Sequence, residues 1–274
     1  MPELPEVETI RRDLAALLGG RIFAEVEIYY SGSIKIPTAT RLQQELPGRK
    51  ITTINRRGKY LLIHLHDDTV LVIHLRMTGQ LLFCEHNYSP DKHTHMVFHF
   101  RDGTALVFHD VRKFGTIYWL PAHALGQIKG LSTLGPEPFS PEFNADYLFA
   151  QAKRRKTSIK ALLLKQEVIA GLGNIYADEA LYRAGIRPDR PASTLNLEEC
   201  KKLYQSICEV LNEAIYWRGT TMSDYRDAAG GRGAFQNHLQ VYKQNDKPCL
   251  RCGQKIHRTV VAGRGTYFCP SCQK

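Results

Sequence analysis

Four cysteines near the carboxyl end constrain this chain more tightly than any other feature. Cys249 and Cys252 form one C-x2-C pair and Cys269 and Cys272 another, with sixteen residues between the pairs. Two such knuckles supply four thiolates for a tetrahedral zinc, at a spacing that zinc sites use. Redox pairing is the alternative, but redox chemistry has no use for two knuckles flanking a hairpin-length insert. With all four positions filled by protein, no place is left for a substrate water, so one structural zinc is expected. The insert VVAGRGTYF reads as two strands around a Gly-Arg-Gly tip that presents Arg264 at the end of a finger. An arginine between glycines can approach a phosphate closely, although a solvated turn residue is the plainer reading.

The 274 residues before and within this finger leave room for one large core or two to three smaller ones. Lys and Arg outnumber Asp and Glu by 37 to 27, a formal charge of +10 that favours a polyanionic partner. No apolar run approaches the ~18 residues of a membrane span, and the acidic, proline-containing start is unlike a signal peptide. A cytoplasmic protein is expected. Cys84, Cys200 and Cys208 are outside the knuckles, and an odd total of seven suits a disulfide framework poorly.

From Ile22 to about Leu120, the stretches IFAEVEI, YLLIHL, TVLVIHL, HMVFHF, TALVFHD and GTIYWL are rich in branched and aromatic residues and punctuated by HDD and RDG turns. They predict an antiparallel β-sandwich. After LGPEPFSPEF the period changes to helical, over 145–153, 158–164, 175–183 and 197–217, with Asn196 and Glu199 as an N-cap pair for the last. The stretch TTMSDYRDAAGGRGAF, 220–235, has three close glycines and little periodicity, and reads as a surface loop of functional length.

The chain opens MPELPEVE. Proline and acidic side chains suit a first helical turn, and Val7, Ile10, Leu14, Leu17 and Leu18 recur at helical spacing until Gly19-Gly20. That accounts for the glutamates without any chemistry, but not for a proline directly behind the initiator methionine.

Taken together, MPELPEVE, RRGKYLLIHL, HLRMTG, DVRKFG, AGLGNIYADEAL and the finger ending AGRGTYFCPSCQK closely resemble the bacterial formamidopyrimidine-DNA glycosylases of the Fpg/Nei family, in family order and over essentially the whole chain. The resemblance implies an α+β multidomain protein. Residues 1–133 would form the catalytic sandwich with its amino-terminal helix, 134–240 a helix-two-turn-helix DNA-binding domain with the lesion loop, and 241–274 the zinc-finger hairpin. It implies a monomer acting in base excision repair on double-stranded DNA with oxidised bases or abasic sites. Oxidised purines, 8-oxoguanine and formamidopyrimidines, would be removed through a Schiff base on Pro2, and the strand cut by β,δ-elimination.

In that reading, removal of Met1 leaves Pro2 with a free secondary amine, which can form an iminium with the sugar C1′ without an added proton. Glu3 matches the general acid/base and Glu6 is orienting or structural. Lys59 matches the lysine that reaches the lesion phosphate, and Arg264 the arginine of phosphate contact and late proton transfer. Met77, Arg112 and Phe114 match the side chains that fill the space an extruded base leaves. His93, Arg155, Lys160 and Asn174 match phosphate-contacting positions, although lysine is commoner at 155. Ser223 stands where some members carry lysine, which leaves base preference open. A DNA-binding protein without catalysis, and an endonuclease VIII type acting on oxidised pyrimidines, are the competing readings. A pure binder has no need of Pro2, Glu3 and Lys59.

Overall fold

The computed structural model describes residues 1–85 and 88–274. Contacts divide the chain into two compact units, Met1–Ser132 with Trp217–Ala234, and Thr133–Tyr216 with Phe235–Lys274. The finger therefore shares a unit with the helices, and the segment 217–234 packs with the amino-terminal part of the chain.

Among the described residues of the first unit, α1 (Leu4–Leu18) and α2 (Ala39–Glu45) accompany nine strands: β1 (Phe23–Ile28), β2 (Ile34–Ile36), β3 (Ile51–Arg57), β4 (Tyr60–Leu65), β5 (Thr69–His74), β6 (Gly79–Cys84), β7 (Thr94–Phe100), β8 (Ala105–Asp110) and β9 (Thr116–Pro121). A short α3 (Lys129–Ser132) follows. One sheet runs β1-β7-β8-β6 and the other β2-β9-β5-β4-β3. All pairings are antiparallel except that of the edge strand β2 with β9. Val7, Ile10, Leu14 and Leu18 place the apolar stripe of α1 in one core with Leu61, Ile63, Leu71 and Ile73 of one sheet and Phe98 and Phe108 of the other.

The segment expected as a surface loop contributes Tyr225 and Ala228 to that same core, and Thr220, Thr221 and Asp227 are buried. Its anchors are remote in sequence. Phe83 N donates to Ala228 O (2.8 Å), and Arg218 bridges Asp13 (2.6 Å) and Asp227 (2.7 Å). Gly219 sits at φ +81, where a Cβ would meet Glu6 Oε1 at 2.8 Å, so glycine is required twice over.

The second unit holds α4 (Ala145–Lys153), α5 (Ile159–Leu163), α6 (Asn174–Ala184) and α7 (Leu197–Tyr216), then the hairpin β10 (His257–Val261) and β11 (Arg264–Phe268). Asn144 and Ser158 cap α4 and α5 through Tyr147 N and Ala161 N. Asn196 and Glu199 exchange backbone-to-side-chain bonds of 2.9 Å each at the start of α7, the reciprocal cap that their spacing predicts. The finger is sewn to the end of α6, with Lys274 N donating to Gly185 O (3.0 Å) and Gln273 Nε2 to Ile186 O (2.8 Å). Among the described residues, no helix is long and apolar enough to cross a membrane.

Candidate functional site

Pro2 and Glu3 are buried at the entrance to α1, with Glu3 as the extended residue before the first turn. Glu6 has no free carboxylate. Its Oε2 accepts Glu3 N (2.7 Å) and its Oε1 accepts Thr220 N (2.7 Å), so it orients the amino end and anchors the 217–234 segment. Glu8 gains a role that helix-dipole reasoning did not supply. Burial works against its ionisation, but hydrogen bonds from Arg11 and Arg12 and the nearby Arg56 hold its pKa below the usual carboxylate value. Arg56 Nε reaches Glu8 Oε2 (3.2 Å) and its Nη1 donates to Gly58 O (2.9 Å). This one guanidinium ties α1 to β3 and braces the tight turn that delivers Lys59.

Lys59 is only 7% exposed, contrary to what a residue at a strand edge suggests. Tyr60 pairs in register with His74 and their rings meet edge-on at 4.4 Å. Burial, then the charges of Arg76 and Lys59, push the His74 pKa down to about 3, so this imidazole is neutral beside the lysine, its Nδ1 accepting Arg76 N (3.0 Å). A histidine depressed in the folded state favours folding above its unfolded value of 6.5 and loses that contribution as the pH falls toward 3. The stability lost between about pH 7 and pH 5 should therefore be smaller in His74→Gln by up to about 2 kcal/mol, read from urea unfolding at the two pH values.

Met77 is half-buried in the turn between β5 and β6, while Arg112 and Phe114 are exposed between β8 and β9. The Arg112 guanidinium lies over the Phe114 ring, 4.8 Å from its centroid. His93 is half-buried, its ring 5.6 Å edge-on from that of His109. All of these belong to the first unit.

Arg155, Lys160, Asn174 and Arg264 belong to the second. Arg155 is part-buried, with Nη1 donating to Gln151 Oε1 (2.5 Å). Lys160 departs from expectation. Its side chain has no exposed surface, and its Nζ binds Asp178 (2.6 Å), Thr266 Oγ1 (2.8 Å) and Gly265 O (3.2 Å). An ammonium enclosed this way cannot touch a phosphate. It holds the start of β11, beside the hairpin turn, instead. Asn174 Nδ2 donates to the same Gly265 carbonyl (3.0 Å), and Asp178 Oδ2 accepts Tyr267 N (3.0 Å). Burial pushes Asp178 up to about 7 against the pull of Lys160. Glu179, also raised by burial, accepts backbone N–H groups from Gln240, Val241 and Tyr242 and so fastens the strand of chain leading to the finger. Both acids lie in AGLGNIYADEAL, where nothing local signals their burial.

The hairpin turn is built by Ala262 (φ 51) and Gly263 (φ 70), not by a Gly-Arg-Gly tip. Arg264 is the first residue of β11, exposed and paired across from Val261. At the base of the finger the four cysteine sulfurs lie within 4.8 Å of one another, with Cys249–Cys272 at 3.8 Å and Cys252–Cys269 at 3.5 Å. Tetrahedral bonds of ~2.3 Å separate sulfurs by ~3.8 Å, far from the ~2.05 Å of a disulfide, so the set fits zinc. Tyr182 OH (3.2 Å) and Arg251 N (3.4 Å) reach Cys249 Sγ and stabilise its thiolate form.

Comparison with known proteins covers nearly the whole chain. Residues 1–117 match the formamidopyrimidine-DNA glycosylase N-terminal domain, 134–226 the H2TH domain of the same glycosylases, and 246–274 the zinc finger found in FPG and IleRS. The formamidopyrimidine-DNA glycosylase of Pelotomaculum thermopropionicum is 47% identical over 100% of this chain and 99% of its own length. That of Bacillus licheniformis is 46% identical over 100% of both. Among solved structures, the chain is similar to Lactococcus lactis Fpg in complex with abasic-site DNA, at TM-score 0.93 and 38% identity over 99% of each chain. It is equally similar to the wild-type Lactococcus lactis protein bound to N7-benzyl-Fapy-dG DNA, at TM-score 0.93 and 38% identity over 100% of each.

Proposed function

Because the chain belongs to the formamidopyrimidine-DNA glycosylase family, we propose that it is a bifunctional glycosylase and abasic-site lyase of base excision repair, acting on 8-oxoguanine and formamidopyrimidines in double-stranded DNA. The observation that carries this reading is the full-length likeness to Lactococcus lactis Fpg solved on N7-benzyl-Fapy-dG and abasic-site DNA.

The chemistry starts at Pro2. With Met1 removed, the nitrogen of Pro2 is a secondary amine whose lone pair attacks C1′. The glycosidic C–N bond breaks, its electron pair leaving with the base, which takes up a proton. The C1′–O4′ bond then opens as nitrogen and C1′ form the iminium, and O4′ is protonated. Glu3, beside the nucleophile, is the group we assign to these proton transfers. Loss of a C2′ proton sends electrons into the cationic nitrogen and expels the 3′ phosphate. A second elimination expels the 5′ phosphate, and water releases the sugar fragment.

Lys59, held in a low-exposure site by the Arg56-braced turn, and Arg264 supply positive charge to phosphates flanking the lesion. Met77 and Phe114 fill the vacated stack, and Arg112 hydrogen-bonds the base left opposite. Arg155, His93 and the Gly173–Asn174 start of α6 complete the phosphate contacts. Lys160 acts from within, by fixing the strand that bears Arg264. The bound zinc would be held by Cys249, Cys252, Cys269 and Cys272, and supplies a rigid base for the hairpin rather than a reactive centre. We assign residues 1–133 to chemistry, 134–240 to the duplex and 241–274 to the finger. The protein is expected to work as a cytoplasmic monomer. Borohydride trapping on duplexes carrying 8-oxoguanine or an oxidised pyrimidine tests the reading. Preference for the pyrimidine would transfer the chain to the endonuclease VIII type, and no trapping on either would leave a binding protein.

A further inference from the structure

We propose that Asp110, acting with Thr78, is the positioning residue that sets how Met77, Arg112 and Phe114 are presented to the duplex; this rests on the void-filling reading given above. β6 and β8 are antiparallel neighbours, and Gly79 at the start of one pairs with Asp110 at the end of the other. The Met77 turn therefore enters the sheet where the Arg112–Phe114 turn leaves it. Asp110 has no exposed surface. Its Oδ1 accepts the Thr78 hydroxyl (2.5 Å) and Arg112 N (3.2 Å), and its Oδ2 accepts Gly115 N (2.7 Å). The Thr78 oxygen in turn accepts Arg112 N (3.1 Å). One carboxylate thus closes both ends of the 111–115 turn and reaches across to the residue beside Met77.

The turns so bracketed adopt conformations that a free chain seldom holds. Lys113 (φ 60) and Arg76 (φ 55) are both left-handed. At Gly115 a Cβ would lie 2.4 Å from the Phe108 ring and 3.1 Å from Asp110 Oδ2, so the turn is pressed onto β8 by the bonds that Asp110 makes. Wedging apart a base step costs stacking free energy, and a side chain that must first be ordered loses part of what its insertion gains. The backbone ladder of β6 and β8 runs the length of both strands without the carboxylate. Removing the bracket should loosen the turns and leave the sheet intact.

The distinguishing measurement compares two activities of the full-length, zinc-loaded protein. Excision of 8-oxoguanine requires the base to be extruded and its place filled, whereas borohydride trapping at a preformed abasic site does not. Asp110→Asn and Thr78→Val are expected to cut single-turnover excision by about tenfold or more while trapping stays within about threefold of wild type. Thr78→Ser, which keeps the hydroxyl, should restore excision to within about twofold. The proposal is overturned if folded Thr78→Val or Asp110→Asn excises at the wild-type rate, if both activities fall in parallel, or if serine is no better than valine. Met77→Ala and Phe114→Ala separate the premise from the inference. Unchanged excision in those two removes the void-filling reading itself, whereas a loss there without one at Asp110 sinks only the bracket.

Discussion

A chain that retains Met1 should form no borohydride-trapped complex with an abasic-site duplex and should lose at least about a thousandfold in excision rate, the scale on which removing a covalent nucleophile acts. The reason lies in the nitrogen. With methionine attached, the nitrogen of Pro2 is an amide whose lone pair is delocalised into a carbonyl, and it cannot add to C1′. After removal, it is a secondary amine, whose neutral form carries the free lone pair that the attack needs. Intact-mass analysis sorts the two forms, and the trapped complex must contain only the shorter one. A primary amine is a second, milder variant. Pro2→Gly in the processed chain still forms an imine, but one that needs a proton to become an electron sink, so trapping should slow without vanishing. Full activity in material whose mass includes Met1 would end the Pro2 mechanism.

The second large effect is expected at Asp178. Removing its carboxylate strands the Lys160 ammonium at a site with no exposed surface, and breaking a buried pair from one side typically costs ~3–5 kcal/mol. Asp178→Ala should therefore lower the unfolding free energy of the second unit by that order and release zinc at lower denaturant concentration, because Tyr267 N loses its acceptor in the strand leading to Cys269. Replacing both partners, Lys160→Met with Asp178→Leu, should recover most of the stability, since an apolar pair has no desolvation to offset. It should not recover DNA cleavage to the same extent. Lys160 and Asn174 converge on the carbonyl of Gly265, the residue just after Arg264. A stable double variant with wild-type cleavage would show that this clamp serves folding alone.

How far the sequence revealed all this depends on whether each signal was local. The cysteine knuckles, the Asn196–Glu199 cap, the apolar stripe of α1 and six of the strands are all written within a turn or a strand length, and each is found where its pattern put it. β2, β3 and β6 were not legible. β3 is an edge strand whose ITTINRR buries only Ile51 and Ile54, and GQLLFC and IKI are too short or too irregular to alternate. The departures at functional positions share one cause. Nothing local marks Lys160, Asp178 and Glu179 as buried, because the hydroxyl and backbone groups that hold them, at Thr266, Tyr267 and Gln240, lie 61 to 106 residues away in the chain. The 220–235 stretch read as surface for the same reason, the partners of the 217–234 segment being Glu6, Asp13 and Phe83.

The double grip of Glu6 carries a consequence for anyone seeking to retarget such an enzyme. One acidic side chain grasps the peptide nitrogen next to the reactive terminus with one oxygen and the amide of Thr220 with the other. If Pro2 attacks as proposed, swapping the segment around Ser223 to suit a different damaged base would tug, through that shared handle, on the residue that carries the nucleophile. Under that mechanism selectivity and reactivity would be mechanically yoked, and grafts that respect the spacing from Gly219 to Thr221 stand the best chance of changing one without blunting the other.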